Sequence, residues 1–471
     1  MSGYGRGLGR SGVTIALMLA ATAGMTRSTG RIGAKAQGAV DPSPGSARRP
    51  AAAVPADVLR HRRAALLERF DPGVAVIRSA DARGDLDYAQ DADFRQDNDF
   101  YYLTGLETPG SWLVMFRRAV GDDSTVLYVP ERDPGEETWT GRQPGLEEAA
   151  SWSGVEVVRP ASAFEDEFLA RLSAPNPHGT PPRLYVPLGA SLARSRDLVE
   201  RALSSRYTVE DLSDVLASLR LVKDSVELAR LATAAAITAE AQRQAMRMGA
   251  AGQYEYQLEA WIEYVFRCNG AERVGFPSIV GSGPNSVILH YDTNRRRMED
   301  GDLVVIDIGA EYGYYTADVT RTIPIGGRFT DRQRAIYDLV LATQQAVIDS
   351  IRPGATFRGL STIARRYMRE HSNDLCGEAG CDAYFIHAFG HWLGMDVHDV
   401  GDYRTPLAPG MVLTVEPGIY LPEEDLGVRI EDDVRVTRDG HDVLSGAAPR
   451  RPEEIERLMS SSGDPLPRCD L

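Results

Sequence analysis

The strongest chemical signal in the sequence is a pair of acids that occurs twice in matched contexts. Asp307 follows the apolar run Leu303-Val304-Val305-Ile306, six residues after Gly301, and Glu416 follows Met411 to Val415, six residues after Gly410. Each is followed by a second strand carrying another acid: Asp318, between Thr316 and Thr320, and Glu431, in Gly427-Val428-Arg429-Ile430-Glu431. A two-residue hairpin loop at Tyr312-Gly313, with glycine supplying positive φ, would set Asp307 directly opposite Asp318. A loop centred near Glu423-Glu424 would set Glu416 opposite Glu431. Facing Cβ atoms lie about 4.5–5.5 Å apart, and like charges there are destabilising. On an apolar strand pair, two carboxylates therefore need a cation between them or a shared proton. Solvated acids on an exposed sheet face are the bland alternative, and the apolar residues before Asp307 argue against it. The recurrence reads as an internal duplication of a strand pair.

The histidines add a second donor type. Of eight in the chain, His387, His391 and His398 fall within twelve residues, and His290 lies seventeen residues before Asp307. His387 and His391 have the i, i+4 spacing of an HExxH zinc helix. Ala388 stands where that motif has its Glu, however, and Gly390 and Gly394 disfavour a helix, so the zinc-helix reading fails. Four carboxylates and one imidazole form a hard, oxygen-rich ligand set that suits Mn²⁺, Co²⁺ or Fe²⁺ and can hold Zn²⁺. Two such ions about 3.5–4 Å apart turn water into a hydroxide nucleophile and polarise a carbonyl. No serine elbow or activated-cysteine motif competes. Ile279 to Asn285 (IVGSGPN) has the glycines of a phosphate loop but lacks the lysine and is expected to lead into a strand, which excludes that reading.

The elements that must hold these residues follow from the apolar patterning. Leu59 to Phe70 reads as a short amphipathic helix. From Val74 to about Leu212, brief apolar runs (VAVI, SWLVMF, STVLYVP, PRLYVP) alternate with polar or helical stretches, the pattern of an α/β domain with a largely buried sheet. Leu219 to Gly249 has a helical period and opens a second domain. The expected organisation is an N-terminal domain over residues 56–218 and a catalytic domain over residues 219–460.

Composition narrows the class. The 471 residues include 67 acids and 52 bases, a formal net charge of −15, and 43% of them are hydrophobic. Such a chain has globular usage and lacks the basic surface that nucleic-acid binding rests on. Before Asp41 there are basic residues but no acid, around the uncharged run Val13 to Met25. That run is too short to span a bilayer, which takes about 20 residues. With the later Ala34-Lys35-Ala36 it fits a secretory signal peptide over residues 1–36, followed by a flexible tether over residues 37–55. The expectation is export to a periplasmic or extracellular space without stable membrane insertion. The alternative is mitochondrial import, since an acid-free, Arg-bearing start also fits a transit peptide. Four cysteines exclude a disulfide scaffold and a CxxC zinc pattern. Cys376 and Cys381 could close a small loop in an oxidising compartment or remain two thiols.

Six motifs resemble a known family. DIGAEYGYYTADVTRT, HAFGHWLGMDVHD, TVEPGIY and GVRIEDD look like the metallopeptidases of the pita-bread fold, which include aminopeptidase P, prolidase, methionine aminopeptidase and creatinase. Upstream, FRQDNDFYYLTGLETPG and VLYVPERDPGEETWTGRQPG are similar to the N-terminal domain of aminopeptidase P and prolidase. The resemblance covers about residues 56–455. It implies an α/β N-terminal domain joined to an α+β pita-bread (creatinase/aminopeptidase-like) catalytic domain with a pseudo-duplicated strand-pair core. It implies Asp307, Asp318, His391, Glu416 and Glu431 as ligands of two divalent ions, most simply Mn²⁺, with Asp318 and Glu431 bridging. Glu416 would also accept the proton of the bridging water. His290 and His398 match the histidines that bind substrate and stabilise the tetrahedral intermediate, with His387 beside the site and Arg429 beside Glu431. One departure is Ala388, where the family commonly has Gly after the first His.

The activity implied is release of the N-terminal residue before proline by a hydroxide bridging two metals. The near alternative is an Xaa-Pro dipeptidase. A further alternative is a non-enzymatic pita-bread binding protein, which all five filled ligand positions argue against. The expected partners are peptides with proline second, and further copies of the chain in a homo-oligomer. Methionine aminopeptidases of this fold lack the N-terminal domain, and creatinase works without metal.

Overall fold

The apolar runs between Val74 and Asp211 assemble one mixed sheet. In the computed structural model, which describes residues 53–81, 94–170, 182–189 and 192–461, β1 (Gly73–Arg78), β2 (Trp112–Arg117), β3 (Ser124–Val129), β4 (Val157–Pro160), β5 (Arg183–Val186) and β6 (Thr208–Asp211) lie in the order β4-β3-β2-β1-β5-β6. β1–β2 and β2–β3 pair antiparallel and the remaining neighbours parallel. The central strands are buried on both faces, which accounts for their unbroken apolar runs. The helix Ala56–Leu67 buries Leu59 and Leu66. The expected leader and almost all of the expected tether lie outside the described residues.

The helical pattern expected to run through residues 219–249 is two helices, Ser213–Leu221 and Ser225–Met248. Asp224 breaks it. Its carboxylate accepts from the Val226 and Glu227 backbone N–H, while the Glu227 carboxylate accepts from the Asp224 N–H. This reciprocal cap starts a new helix inside an otherwise continuous period.

The catalytic part is built on two long hairpins. Its strands are β7 (Arg273–Val274), β8 (Ile279–Ser282), β9 (Leu303–Ile308), β10 (Ala310–Tyr312), β11 (Tyr315–Thr316), β12 (Val319–Pro324), β13 (Val412–Val415), β14 (Gly418–Leu421), β15 (Leu426–Arg429), β16 (Asp432–Val436) and β17 (His441–Val443). After β8 the chain makes a short 3₁₀ turn, Gly283–Val287, where a strand was expected.

In the first hairpin β9 pairs with β12 and β10 with β11. The turn is Gly313-Tyr314, one residue later than expected, with φ of 57° and 74°. The register consequently moves by two, and Asp307 faces Thr320 rather than Asp318. The cause is tertiary. Left-handed backbone costs a non-glycine residue roughly 1–2 kcal/mol. Here the Tyr314 ring stacks on Tyr101 at 3.7 Å and its hydroxyl donates to Glu107 at 2.9 Å. The strand expected through Thr316, Asp318 and Thr320 is also interrupted, at Ala317-Asp318, between β11 and β12.

In the second hairpin β14 pairs with β15 and β13 with β16, in the single register expected from the sequence. Glu416 and Glu431 fall in the gap between those two ladders. A buried glutamine braces each hairpin from a long helix. Gln242, on Ser225–Met248, donates to the Ile306 and Val319 carbonyls at 3.0 and 2.8 Å. Gln344, on the helix Asp331–Ile348, donates to the Val415 and Ile430 carbonyls, both at 3.1 Å. Each glutamine thus ties together the two strands that carry the acids.

Candidate metal centre

The two hairpin gaps meet at one cleft of about 620 Å³, lined by Asp307, Asp318, Glu416 and Glu431 together with His290, His387, His391, His398 and Arg429. Every candidate metal-ligating or catalytic residue read from the sequence therefore lies on this one cavity.

His391 arrives on an irregular segment rather than a helix, held against β13 by its backbone. Its N–H donates to the Thr414 hydroxyl, and the Thr414 N–H donates to the His391 carbonyl at 2.9 Å. Gly390 permits the approach: a Cβ there would lie 2.0 Å from the Thr414 carbonyl oxygen. The Nδ1 of His391 lies 3.0 Å from the Trp392 carbonyl. A carbonyl only accepts, so Nδ1 carries the proton and Nε2 presents its lone pair. That lone pair faces Asp318 Oδ2 at 3.3 Å and Glu416 Oε1 at 3.5 Å. Burial holds the His391 pKa down to about 4, so the imidazole is neutral at physiological pH. Lone pairs converging on lone pairs require a cation or a shared proton between them, and a second ring N–H anchored on a carbonyl is the usual arrangement of a metal-ligating histidine.

The acids carry the same message. Asp307 Oδ1, Asp318 Oδ1 and Glu431 Oε1 are buried without a hydrogen-bond donor. Asp318, His391 and Glu431 offer donor atoms within 4.8 Å of one another. Burial, and then the neighbouring Glu431, Asp307 and Glu416 carboxylates, push Asp318 far above the usual carboxylate range. Burial likewise raises Glu431, and lifts Glu416 to about 8. Unscreened acids on this scale are what a divalent ion neutralises. The donor set fits such ions by charge, by atom type and by its orphaned oxygens.

Several residues orient these donors, and Thr320, Tyr420 and Asp433 among them are not candidate site residues in the sequence reading. Thr320 donates to Glu431 Oε2 at 2.6 Å and accepts from Arg429 Nε at 3.2 Å. The Asp318 N–H donates to the Asp433 carboxylate. Arg429 donates to Asp307 Oδ2 at 2.6 Å and to the Tyr420 hydroxyl at 3.1 Å. Tyr420 in turn meets His387 Nε2 at 2.8 Å, and His387 Nδ1 donates to the Ala388 carbonyl. Burial lowers the His387 pKa to about 4. Arg429 therefore reaches Asp307 directly, although the sequence placed it beside Glu431. Paired hydroxyls behind acids, at Thr320 and Thr414, were the available sequence signal. Ala388 is exposed with ordinary backbone geometry, so its methyl group displaces nothing.

His398 packs edge-on to His391 at 4.3 Å between ring centroids. Burial and then His290 lower its pKa. Its position is fixed by the next residue. Burial alone would raise the Asp399 pKa, but Lys223 at 3.1 Å and Arg220 at 2.7 Å outweigh that and hold it low. Arg220 also reaches Asp99 of the N-terminal domain at 2.9 Å. A Cβ on Gly394 would fall 2.0 Å from the Asp399 carboxylate, so glycine is required where the segment folds over this anchor. The Cys376 and Cys381 sulfurs, left open by the sequence, are bonded to each other in the loop that precedes His387.

Known proteins agree with this architecture. Residues 229–438 match metallopeptidase family M24, and residues 59–178 match the aminopeptidase P N-terminal domain. An Xaa-Pro aminopeptidase of Escherichia coli (strain K12) is 35% identical over 426 residues, covering 85% of this chain and 97% of that protein. The mitochondrial intermediate cleaving peptidase 55 of Arabidopsis thaliana is 33% identical over 420 residues, covering 85% and 82%. The solved structure of a Pseudomonas aeruginosa aminopeptidase superposes with a TM-score of 0.79 at 35% identity, covering 87% of this chain and 99% of that one.

Proposed function

The chain belongs to metallopeptidase family M24, with the N-terminal domain of aminopeptidase P, and from that premise we propose that it is a two-metal Xaa-Pro aminopeptidase. It is a metallo-exopeptidase with an α/β N-terminal domain and a pita-bread catalytic domain. The observation that carries the two-metal reading is the set of three buried, undonated carboxylate oxygens on Asp307, Asp318 and Glu431, of which Asp318 and Glu431 cluster with His391. Asp307, Asp318, His391, Glu416 and Glu431 would hold two divalent ions, with Mn²⁺ the best match to so oxygen-rich a set. When bound, such ions make water nucleophilic near neutral pH and withdraw charge from a carbonyl oxygen.

The remaining work falls to the chain. Glu416, ionised when the ions are bound, would take the proton from the attacking water and pass it to the departing proline nitrogen. His290 and His398 line the cleft on the side of His391 and donate to the scissile carbonyl as negative charge grows there. The Arg429–Tyr420–His387 chain keeps the Asp307 side of the site rigid. The Xaa-Pro preference is carried by the similarity to the Escherichia coli enzyme along nearly its whole length.

An assay with added Mn²⁺ tests this reading, using an Xaa-Pro dipeptide beside a longer Xaa-Pro-Yaa peptide and reading released Xaa. Faster release from the longer peptide is expected. Cleavage of the dipeptide alone makes the protein a prolidase, and cleavage of neither with full metal content overturns the reading. Elemental analysis should give two metals per chain. Substrate-length dependence and subunit mass, the latter expected to be a homo-oligomer, are read on the same preparation.

Export is also proposed. The acid-free leader and the Cys376–Cys381 bond both suit an oxidising compartment. Fractionation of the native host with N-terminal sequencing checks it. A mature chain starting near residue 37 outside the cytoplasm is expected, and mitochondrial recovery would favour the alternative that the Arabidopsis thaliana relative represents.

A further inference from the structure

Beyond this activity, we infer that Arg358 is a specificity residue that pairs with a substrate carboxylate lying past the proline, foremost the C-terminal carboxylate of a short peptide. The inference rests on the Xaa-Pro exopeptidase reading of the cleft.

Arg358 lines the same cavity as the ligands. It is exposed, and among the described residues its guanidinium has neither a salt bridge nor a hydrogen bond. The other arginine of the cavity, Arg429, is spent on Asp307 and Tyr420. Arg358 lies in the first turn of the helix Phe357–Glu370, whose cap is Thr356. A cation at that end opposes the helix dipole. Arg358 therefore contributes nothing to the helix and has no partner, yet it is presented to the cleft.

Its placement relative to the chemistry follows from its neighbours. Phe357 packs on Phe389 at 5.3 Å and on Trp392 at 4.5 Å between ring centroids. The Phe389 carbonyl accepts from the Glu416 N–H at 2.8 Å. Arg358 is thus one residue away from a ring braced on the ligand-bearing backbone. On the same helix, Ser361 also lines the cavity, and Arg365 donates to the Phe385 and His387 carbonyls. The lining of the cleft consequently carries two kinds of charge: four carboxylates that suit cations, and an unpaired guanidinium. Phe357, Phe389 and Tyr403 line the same cavity and pack on one another. An extended tripeptide spans about 10 Å. With its scissile carbonyl at the acids, such a peptide keeps its free carboxylate within the cavity that Arg358 lines, and the planar fork of the guanidinium suits a carboxylate.

The same chemistry is available from an acidic side chain in the third position, and the substrates separate the two sources. Kinetics are measured with three peptides: a tripeptide Xaa-Pro-Ala with a free C-terminus, the same peptide as its C-terminal amide, and Xaa-Pro-Glu amide. Wild type is compared with Arg358→Gln and Arg358→Lys. The expected wild-type preference for free acid over amide is about fivefold in kcat/KM, carried by KM, the scale of a partly exposed ion pair. Arg358→Gln should bring that ratio to about one, and Arg358→Lys should restore part of it. An acid-to-amide ratio unchanged in Arg358→Gln, with wild type cleaving both, overturns this inference alone. A ratio change only with Xaa-Pro-Glu amide assigns Arg358 to an acidic side chain and overturns the C-terminal assignment. Wild type cleaving none of the three overturns the Xaa-Pro reading and this inference with it.

Discussion

The first hairpin, β9 to β12, and the second, β13 to β16, do the same work by different means. Both are braced at the acid-bearing strands by a buried glutamine, Gln242 in one and Gln344 in the other. Both interrupt their ladders where an acid must leave the sheet. They differ at the turn. The second turns through Pro422–Glu424 and Asp425 and keeps the register that its sequence suggests. The first turns through Gly313-Tyr314, a position that depends on Tyr101 and Glu107 of the N-terminal domain. The first half of the site therefore takes its register partly from another domain, while the second is set locally.

The largest effect should come from removing one acid in each half. Asp318→Asn tests the first hairpin and Glu431→Gln the second. Each should reduce turnover to background and lower metal content in elemental analysis. The metal-free forms should melt no earlier than metal-free wild type, because burial and the neighbouring carboxylates disfavour the charged form of each acid and the amide cannot ionise. Wild-type turnover in either variant at matched metal loading would remove the assignment.

His398→Ala comes next. Its ring touches His391 but carries no hydrogen bond of its own among the described residues, while the fold at this point is held by Asp399. Loss of one donor to a developing oxyanion typically lowers kcat by about 10²–10³-fold. Metal content and melting temperature should stay near wild type. Early melting with normal turnover of the folded fraction would mean that His398 is structural.

Thr320→Val sharpens the comparison, because Thr320 belongs to the first hairpin yet donates to Glu431 of the second. Groups that orient metal ligands are worth about 10–100-fold in affinity or activity. A loss of that order in metal affinity, with the fold intact, is expected from metal titration. An unchanged affinity would show the two halves to be independent.

What the sequence makes legible follows this division. The acids, the histidines and the fold class are readable because an acid inside an apolar strand, repeated at one spacing, has few physical explanations. The first register was misplaced by two because Tyr314 adopts positive φ for tertiary reasons. A two-residue slip keeps every side chain on its face, whereas a slip of one would have turned Asp307 out of the site. The pairing was thus wrong while the cluster stayed right. Gln242, Gln344, Tyr420 and Asp433 were silent because single polar residues on helices and strands are ordinary, and only the packing gives them partners. The Asp224 cap was similarly hidden inside a helical period.

The smallest expected effect is a pH-dependent one, and it bears on both hairpins at once. Glu416 in the folded, metal-free chain is raised by burial to about 8, and Asp318 and Glu431 are raised for the same first reason. An acid with a raised folded pKa keeps its proton in the native state after the unfolded chain has released its own. The unfolded state then binds fewer protons, and stability falls as pH increases. The window opens near the ordinary carboxylate value of about 4 and, for Glu416, closes near 8. Metal-free protein should therefore melt progressively earlier between pH 5 and pH 8. Metal binding needs these groups ionised, so it releases protons and tightens over the same range. The rise in melting temperature on adding Mn²⁺ should consequently be a few degrees larger at pH 8 than at pH 5.5. Scanning calorimetry with and without Mn²⁺ measures it, and an equal rise at both pH values would mean that the acids are already ionised without metal.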